Sequence, residues 1–167
     1  MTKTIYGNII KSKTNNDVSQ FLNSKPVFSI YNPENEAENF CKIITHSEKN
    51  FFVTTGMAQA YHIFALQKHF PDSKILILEK YIEDFYKNEF SKTYNKLKQN
   101  SNIIFSTVDT LEQDLIDNYL PATDGDFIYR SLRSWIAQNN DLEKIINTKI
   151  NNALKIIKDD YSVQSHL

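Results

Sequence analysis

One cysteine, three glycines and four prolines among 167 residues exclude several architectures at once. A single thiol, Cys41, rules out an intramolecular disulfide and any thiolate-rich zinc site, since each draws several sulfurs from the same chain. No stretch approaches the roughly 20 apolar residues that cross a bilayer. The opening run MTKTIYGNIIKSKTNND lacks the apolar segment of a secretory signal. A soluble, cytoplasmic protein is the expectation. An excess of one charge is also missing: 19 basic residues face 20 acidic ones, so no long-range field gathers nucleic acid or anionic lipid. Neither nucleic acid nor a membrane is an expected partner.

Catalytic signatures are equally scarce. His46, His69 and His166 are scattered among different elements, and no His-x-x-Glu-His or similar metal-binding spacing occurs. There is no Gly-x-Ser-x-Gly elbow, no Walker loop and no Cys-His nucleophile arrangement. No metal ligand and no catalytic residue is assigned from the sequence.

What is present fits one globular domain, with 41% hydrophobic and 13% aromatic residues spread along the chain. It divides into an arm and linker over residues 1–26, an α/β core over 27–120, and a loop with a helical segment over 121–167. Around Gly7 the residues Thr4 to Tyr6 and Asn8 to Ile10 alternate loosely, which predicts a strand or hairpin arm, and Lys11 to Gln20 follows as a polar connection. Val27 to Ile30, between Pro26 and Tyr31-Asn32-Pro33, predicts a short strand. Asn32 before Pro33, with Glu34, Glu36 and Glu38 behind, marks a helix start with a cap and acids at the positive dipole end. Its stripe is Ala37, Phe40, Cys41 and Ile44, on which Cys41 acts as a small buried hydrophobe.

Phe51 to Thr55 and Ile75 to Leu78 are near-continuous apolar runs, the pattern of strands covered on both faces of a parallel sheet. Gly56 and a helix from Met57 to Phe70 supply the crossover. A helix over Tyr81 to Leu97, a strand over Asn102 to Ser106 and a helix over Asp109 to Tyr119 continue a β-α-β-α-β-α order. The expected fold is a Rossmann-like three-layer α/β sandwich with a mostly parallel sheet. After a turn at Asp124-Gly125-Asp126, Phe127, Tyr129, Leu132, Trp135 and Ile136 form an aromatic stripe edged by Arg130 and Arg133. Such a stripe packs as core or interface, or stacks on a sugar or base. Leu142, Ile145, Ile146, Ile150, Ala153, Leu154 and Ile157 then define one long amphipathic helix over Asp141 to Asp159.

The crossover corner is where chemistry could reside. Free N–H groups at such a corner point toward the carboxyl end of the sheet and can hold an anion. Glu79 follows Gly56 by 23 positions, near the offset at which a carboxylate meets a ribose hydroxyl. The candidate ligand-binding residues are Thr55, Gly56, Gln59, Tyr61, His62 and Glu79. Ala58 and Ala60 stand where a dinucleotide loop prefers glycine, so the corner either serves packing alone or takes a nucleotide or S-adenosylmethionine-like ligand with little phosphate to cradle.

The run Tyr31-Asn32-Pro33-Glu34-Asn35-Glu36-Ala37-Glu38-Asn39-Phe40, the loop Gly56-Met57-Ala58-Gln59-Ala60-Tyr61-His62 and the strand Ile75 to Glu79 together resemble the N-terminal domain of the motility-associated factor (Maf) flagellin glycosyltransferases. Those proteins open with a YNPxxEAE helix start and carry a GxGxGYH loop ahead of a strand ending in glutamate. The ending Asp159 to His166 is similar to their junction with a downstream domain of hydroxymethylpterin-diphosphokinase-like type. The resemblance implies a bacterial, cytoplasmic protein that modifies flagellin with nonulosonic acids from nucleotide donors. The chain stops at Leu167, ahead of the part that would perform transfer, so the expectation is a truncated or stand-alone module, inactive by itself, that scaffolds or recognises flagellin or a missing catalytic domain. Two alternatives are a small nucleotide- or S-adenosylmethionine-binding enzyme or sensor, and a homodimer joined through the C-terminal helix. All of these depend on Phe51 to Glu79 forming a crossover whose corner faces the rim of the sheet.

Overall fold

The structure, a computed structural model, describes residues 3–43, 45 and 47–165. Ile44, His46 and His166 lie outside the described residues. The elements in chain order are β1 (Tyr6–Lys11), β2 (Asp17–Phe21), α1 (Pro33–Phe40), β3 (Asn50–Thr55), α2 (Tyr61–His69), β4 (Lys74–Glu79), a single 3₁₀ turn (Ile82–Phe85), α3 (Asn88–Lys98), β5 (Ile103–Thr107), α4 (Leu111–Asn118), α5 (Pro121–Asp124), β6 (Asp126–Tyr129), α6 (Arg133–Gln138) and α7 (Asn140–Ser165).

Four parallel strands form the central sheet in the order β5-β4-β3-β6. Every residue of β3 is buried, as its unbroken apolar run requires of a strand covered on both faces. The chain builds outward from β3 through β4 to β5, then returns to pair β6 on the other side of β3. Helices flank the sheet in a Rossmann-like three-layer sandwich. Lys96 of α3 lies 4.8 Å over the Phe64 ring of α2, so these two helices share one face. The stripe of α7 packs on α4, burying Ile146, Ile150, Ala153 and Ile157. The helical start at Asn32 forms as its sequence dictates: the Asn32 side chain accepts the Asn35 N–H at 3.0 Å, with Pro33 in the first turn.

Several elements depart from the sequence expectation. Asp17 to Gln20, expected within a polar connection, belongs with Phe21 to the second strand of an antiparallel hairpin with β1. Val27 to Ile30 forms no strand; only an isolated bridge joins Pro26 to Gln20, and the Val27 N–H bonds the Ser19 carbonyl. The Tyr81 to Leu97 helix is interrupted, with a 3₁₀ turn preceding α3. The crossover helix starts at Tyr61 instead of Met57 because residues 56, 58 and 60 take left-handed backbone, with φ of 77°, 42° and 58°. The aromatic stripe is split between a strand, β6, and a short helix, α6. Gly125 is required where it stands: its φ is 80°, and a Cβ there would lie 1.9 Å from the Lys49 carbonyl oxygen. No helix among the described residues is long and apolar enough to cross a membrane.

Candidate functional site

Two features meet at the carboxyl end of the sheet. The first is the crossover corner. Thr55 and Leu78 are register partners, and the Gly56 N–H continues the ladder to the Leu78 carbonyl at 2.9 Å. This sets Glu79 directly beside the turn, where its carboxylate becomes the hub of a buried network. Oε2 accepts from the Tyr6 hydroxyl at 2.6 Å and the Met57 N–H at 3.1 Å. Oε1 accepts from the Trp135 indole at 2.7 Å and the Lys80 N–H at 3.2 Å. Four donors suit an ionised carboxylate, yet complete burial dominates and raises its pKa from 4.5 to about 7. Tyr6 is the one side-chain partner that can reverse its role and accept the proton.

The structure brings Thr55, Gly56, His62 and Glu79 together around this corner and turns Gln59 and Tyr61 outward to clamp the hairpin. Thr55 Oγ1 accepts the Leu132 N–H at 2.9 Å. His62 Nε2 lies 3.2 Å from the Thr55 carbonyl, which only accepts, so that nitrogen carries the proton and Nδ1 is left without a partner. Burial pulls the His62 pKa down to about 4, and its ring packs against Phe28 and Phe40. Gln59 exchanges two hydrogen bonds with Ser19, at 2.9 and 2.7 Å. The Tyr61 hydroxyl donates to the Asp17 carbonyl at 2.6 Å.

The corner is thereby covered. The hairpin lies on one side, and Trp135 stands so close on the other that a Cβ on Gly56 would come within 2.9 Å of its ring. The crossover exists as the sequence implies, but its corner is not an open rim: Met57, Ala58 and Ala60 are all buried, so the condition on which the ligand pocket at this corner rested is not met. The amide that would meet an incoming anion already meets Glu79.

The second feature is an open cleft of about 520 Å³ where the chain leaves β6. Tyr129, Arg130, Ser131, Leu132, Arg133 and Ser134 form one wall, and Glu36, Asn39 and Phe40 of α1 form the other, with Val27 between. Its position follows from topology. β4 and β6 flank β3 on opposite sides, so the connections leaving the sheet diverge at the β3/β6 boundary, and crevices open outside the carboxyl ends of strands at such a switch point.

One backbone and one side-chain hydrogen bond anchor this wall: the Arg130 N–H donates to the Val53 carbonyl at 2.9 Å, and the Ser134 hydroxyl donates to the Val27 carbonyl at 2.6 Å. Arg130 stacks over the Phe40 ring at 5.1 Å. The protein's only two arginines, Arg130 and Arg133, are both exposed here, and among the described residues neither forms an ion pair. Across the cleft, the Glu36 carboxyl accepts the Ser29 N–H at 3.0 Å and is raised above its ordinary value by partial burial.

Sequence reasoning reached the corner and undervalued the cleft. The signal it held was the arginine pair, Arg130 and Arg133, confined to one aromatic stripe. Asp124 is structural, accepting from Lys74 Nζ at 3.1 Å and the Leu120 N–H at 2.8 Å. Cys41 is buried, and desolvation pushes its thiol up to about 11, away from thiolate reactivity. Among the described residues no group of three or more His, Cys, Asp or Glu side chains could hold a metal ion. No family model matches the chain, and no curated protein or solved structure matches it either.

Proposed function

We propose that the chain is a non-catalytic, Rossmann-like module of a bacterial, cytoplasmic protein akin to the flagellin nonulosonic-acid glycosyltransferases, acting in scaffolding or recognition. The Glu79 carboxylate supports only the non-catalytic part of this reading, and with the corner covered the kinship rests on the likeness of the residues alone. The carboxylate occupies the Met57 amide, while the hairpin and Trp135 cover the corner from both sides. A crossover corner that supplies its own anion has become a structural joint. The likeness of Tyr31 to Phe40 and of the Gly56 to His62 loop to that family adds the biological setting, and flagellin or a separate catalytic domain is the partner it implies.

The experiment combines the chain with flagellin and a nucleotide-activated nonulosonic acid. Mass spectrometry of flagellin serines and threonines is expected to find no added sugar, and calorimetry without the donor is expected to find saturable binding. Measurable transfer overturns the non-catalytic role, and absent flagellin binding overturns recognition of flagellin.

A nucleotide or S-adenosylmethionine ligand at Thr55, Gly56, Gln59 and Glu79 would have to displace both the carboxylate and the hairpin. Calorimetric binding of S-adenosylmethionine that vanishes in Glu79→Ala would favour that alternative. A homodimer through α7 would have to use Ile145 and Ile156, the isoleucines this helix leaves exposed. Light scattering that reports a monomer at high concentration removes it.

A further inference from the structure

We propose that the cleft between α1 and the β6–α6 connection binds a small hydroxylated oxyanion, a carboxylate or phosphate monoester, through Arg130 and Arg133. This goes beyond a scaffolding role and does not depend on the identity of any protein partner. Three independent observations converge on it. The cleft lies at the carboxyl end of the sheet beside the β3/β6 switch point, where open α/β sheets take their ligands. Its volume of about 520 Å³ suits a molecule of metabolite size. Both guanidiniums of the chain line it without an ion-pair partner among the described residues, and a guanidinium fork matches the two oxygens of a carboxylate or phosphate.

The opposite wall defines the rest of the ligand. Glu36 and Asn39 line this wall, and their acceptor oxygens suit hydroxyl groups and disfavour a second negative charge on that side. Phe40 and Tyr129 supply apolar surface between the two walls. The Arg130 guanidinium is held over Phe40, so part of its side-chain entropy is already spent before a ligand arrives. The Arg130 N–H bond to the Val53 carbonyl and the Leu132 N–H bond to the Thr55 hydroxyl tie the arginine-bearing segment to β3. That segment is a rigid platform.

The test is a titration of the full, isotope-labelled chain followed by amide resonances, with gluconate as the hydroxylated carboxylate and glycerol 3-phosphate as the hydroxylated phosphate. Glycerol is the neutral control. The expected result is saturable shifts confined to residues 130–134 and 36–40 with at least one of the two anions and none with glycerol; the tighter binder identifies the oxyanion. Arg133→Gln, which removes an exposed side chain and leaves the circular dichroism spectrum unchanged, is expected to weaken binding about tenfold or more. Arg130→Gln should do the same. The proposal is overturned if neither anion gives saturable shifts, if binding persists at full strength in Arg133→Gln, or if Lys155 and Lys158 on α7 respond as strongly as the cleft.

Discussion

The Trp135 indole donates a 2.7 Å hydrogen bond to the Glu79 carboxylate, 56 positions earlier in the chain, and joins α6 to the same buried hub that the hairpin reaches through Tyr6. One side chain thus ties together the N-terminal arm, the crossover and the segment after β6. The consequences are measurable.

Stability should carry the signature of Glu79. Its folded pKa of about 7 exceeds the ordinary 4.5, so between these values the folded state binds more protons than the unfolded state. Its contribution is fully present below about 4.5 and lost as pH rises to about 7. His62 acts in the opposite sense: its pKa is depressed from 6.5 to about 4, so its contribution is full above 6.5 and lost as pH falls to about 4. The two nearly cancel in the wild type over their shared range. Urea denaturation of wild type and Glu79→Gln separates them. Between about pH 5 and pH 8 the wild type should lose on the order of 3 kcal/mol relative to the variant, and parallel curves would refute the assignment.

Tyr6→Phe keeps the ring and removes one donor from the hairpin side, and should cost about 1 to 2 kcal/mol in urea melts. Trp135→Phe removes the other donor and also shrinks a fully buried indole to a phenyl ring, so it should cost more, about 2 to 4 kcal/mol. Because both donors serve one carboxylate, the double variant should depart from additivity by at least about 0.5 kcal/mol.

Gly56→Ala meets both a φ of 77° and a Cβ position 2.9 Å from the Trp135 ring. A loss of about 2 kcal/mol or more is expected. Ala60→Gly should behave differently. Relief of a left-handed alanine offsets the lost methyl burial and the added chain entropy, so its melting midpoint should stay within about 1 kcal/mol of wild type. Equal effects of the two substitutions would contradict the observed corner geometry.

On α7 the neighbours Ile145 and Ile146 should diverge. Ile146 is fully buried and Ile145 is 45% exposed. Ile146→Ala is expected to cost about 2 to 5 kcal/mol, whereas Ile145→Ala should stay within about 0.5 kcal/mol. Thermal or urea unfolding of the two variants reads the difference directly.

The parallel crossover from β3 to β4 is legible in the sequence because a strand buried on both faces must be apolar at successive positions, as Phe51 to Val53 and Ile75 to Leu78 are. The α1 start is legible because Asn32 and Pro33 act locally. β2 is concealed by polar Ser19 and Gln20. Ser19 can be completely buried because Gln59, 40 positions away, satisfies its N–H and its hydroxyl. β6 is hidden for the same reason: four residues, Asp126 to Tyr129, become a strand by pairing with β3, not by their own periodicity. At the site, the glutamate and glycine of the corner are visible in sequence, but the partners that cover them, Tyr6 and Trp135, lie far off in the chain. The cleft is less legible still, since Glu36 comes to line one cleft with Arg130 and Arg133 only after β6 takes its place beside β3.

The strand order also dictates a sequence of events on the ribosome. β3 is made first among the sheet strands and acquires β4 and β5 on one flank while its other flank waits for β6. Until synthesis passes Tyr129, the nascent polypeptide displays an unpaired row of backbone N–H and C=O groups along the apolar run Phe51 to Val53. That interval is when the open flank of β3 is exposed to mispairing, and the arrival of β6 closes it.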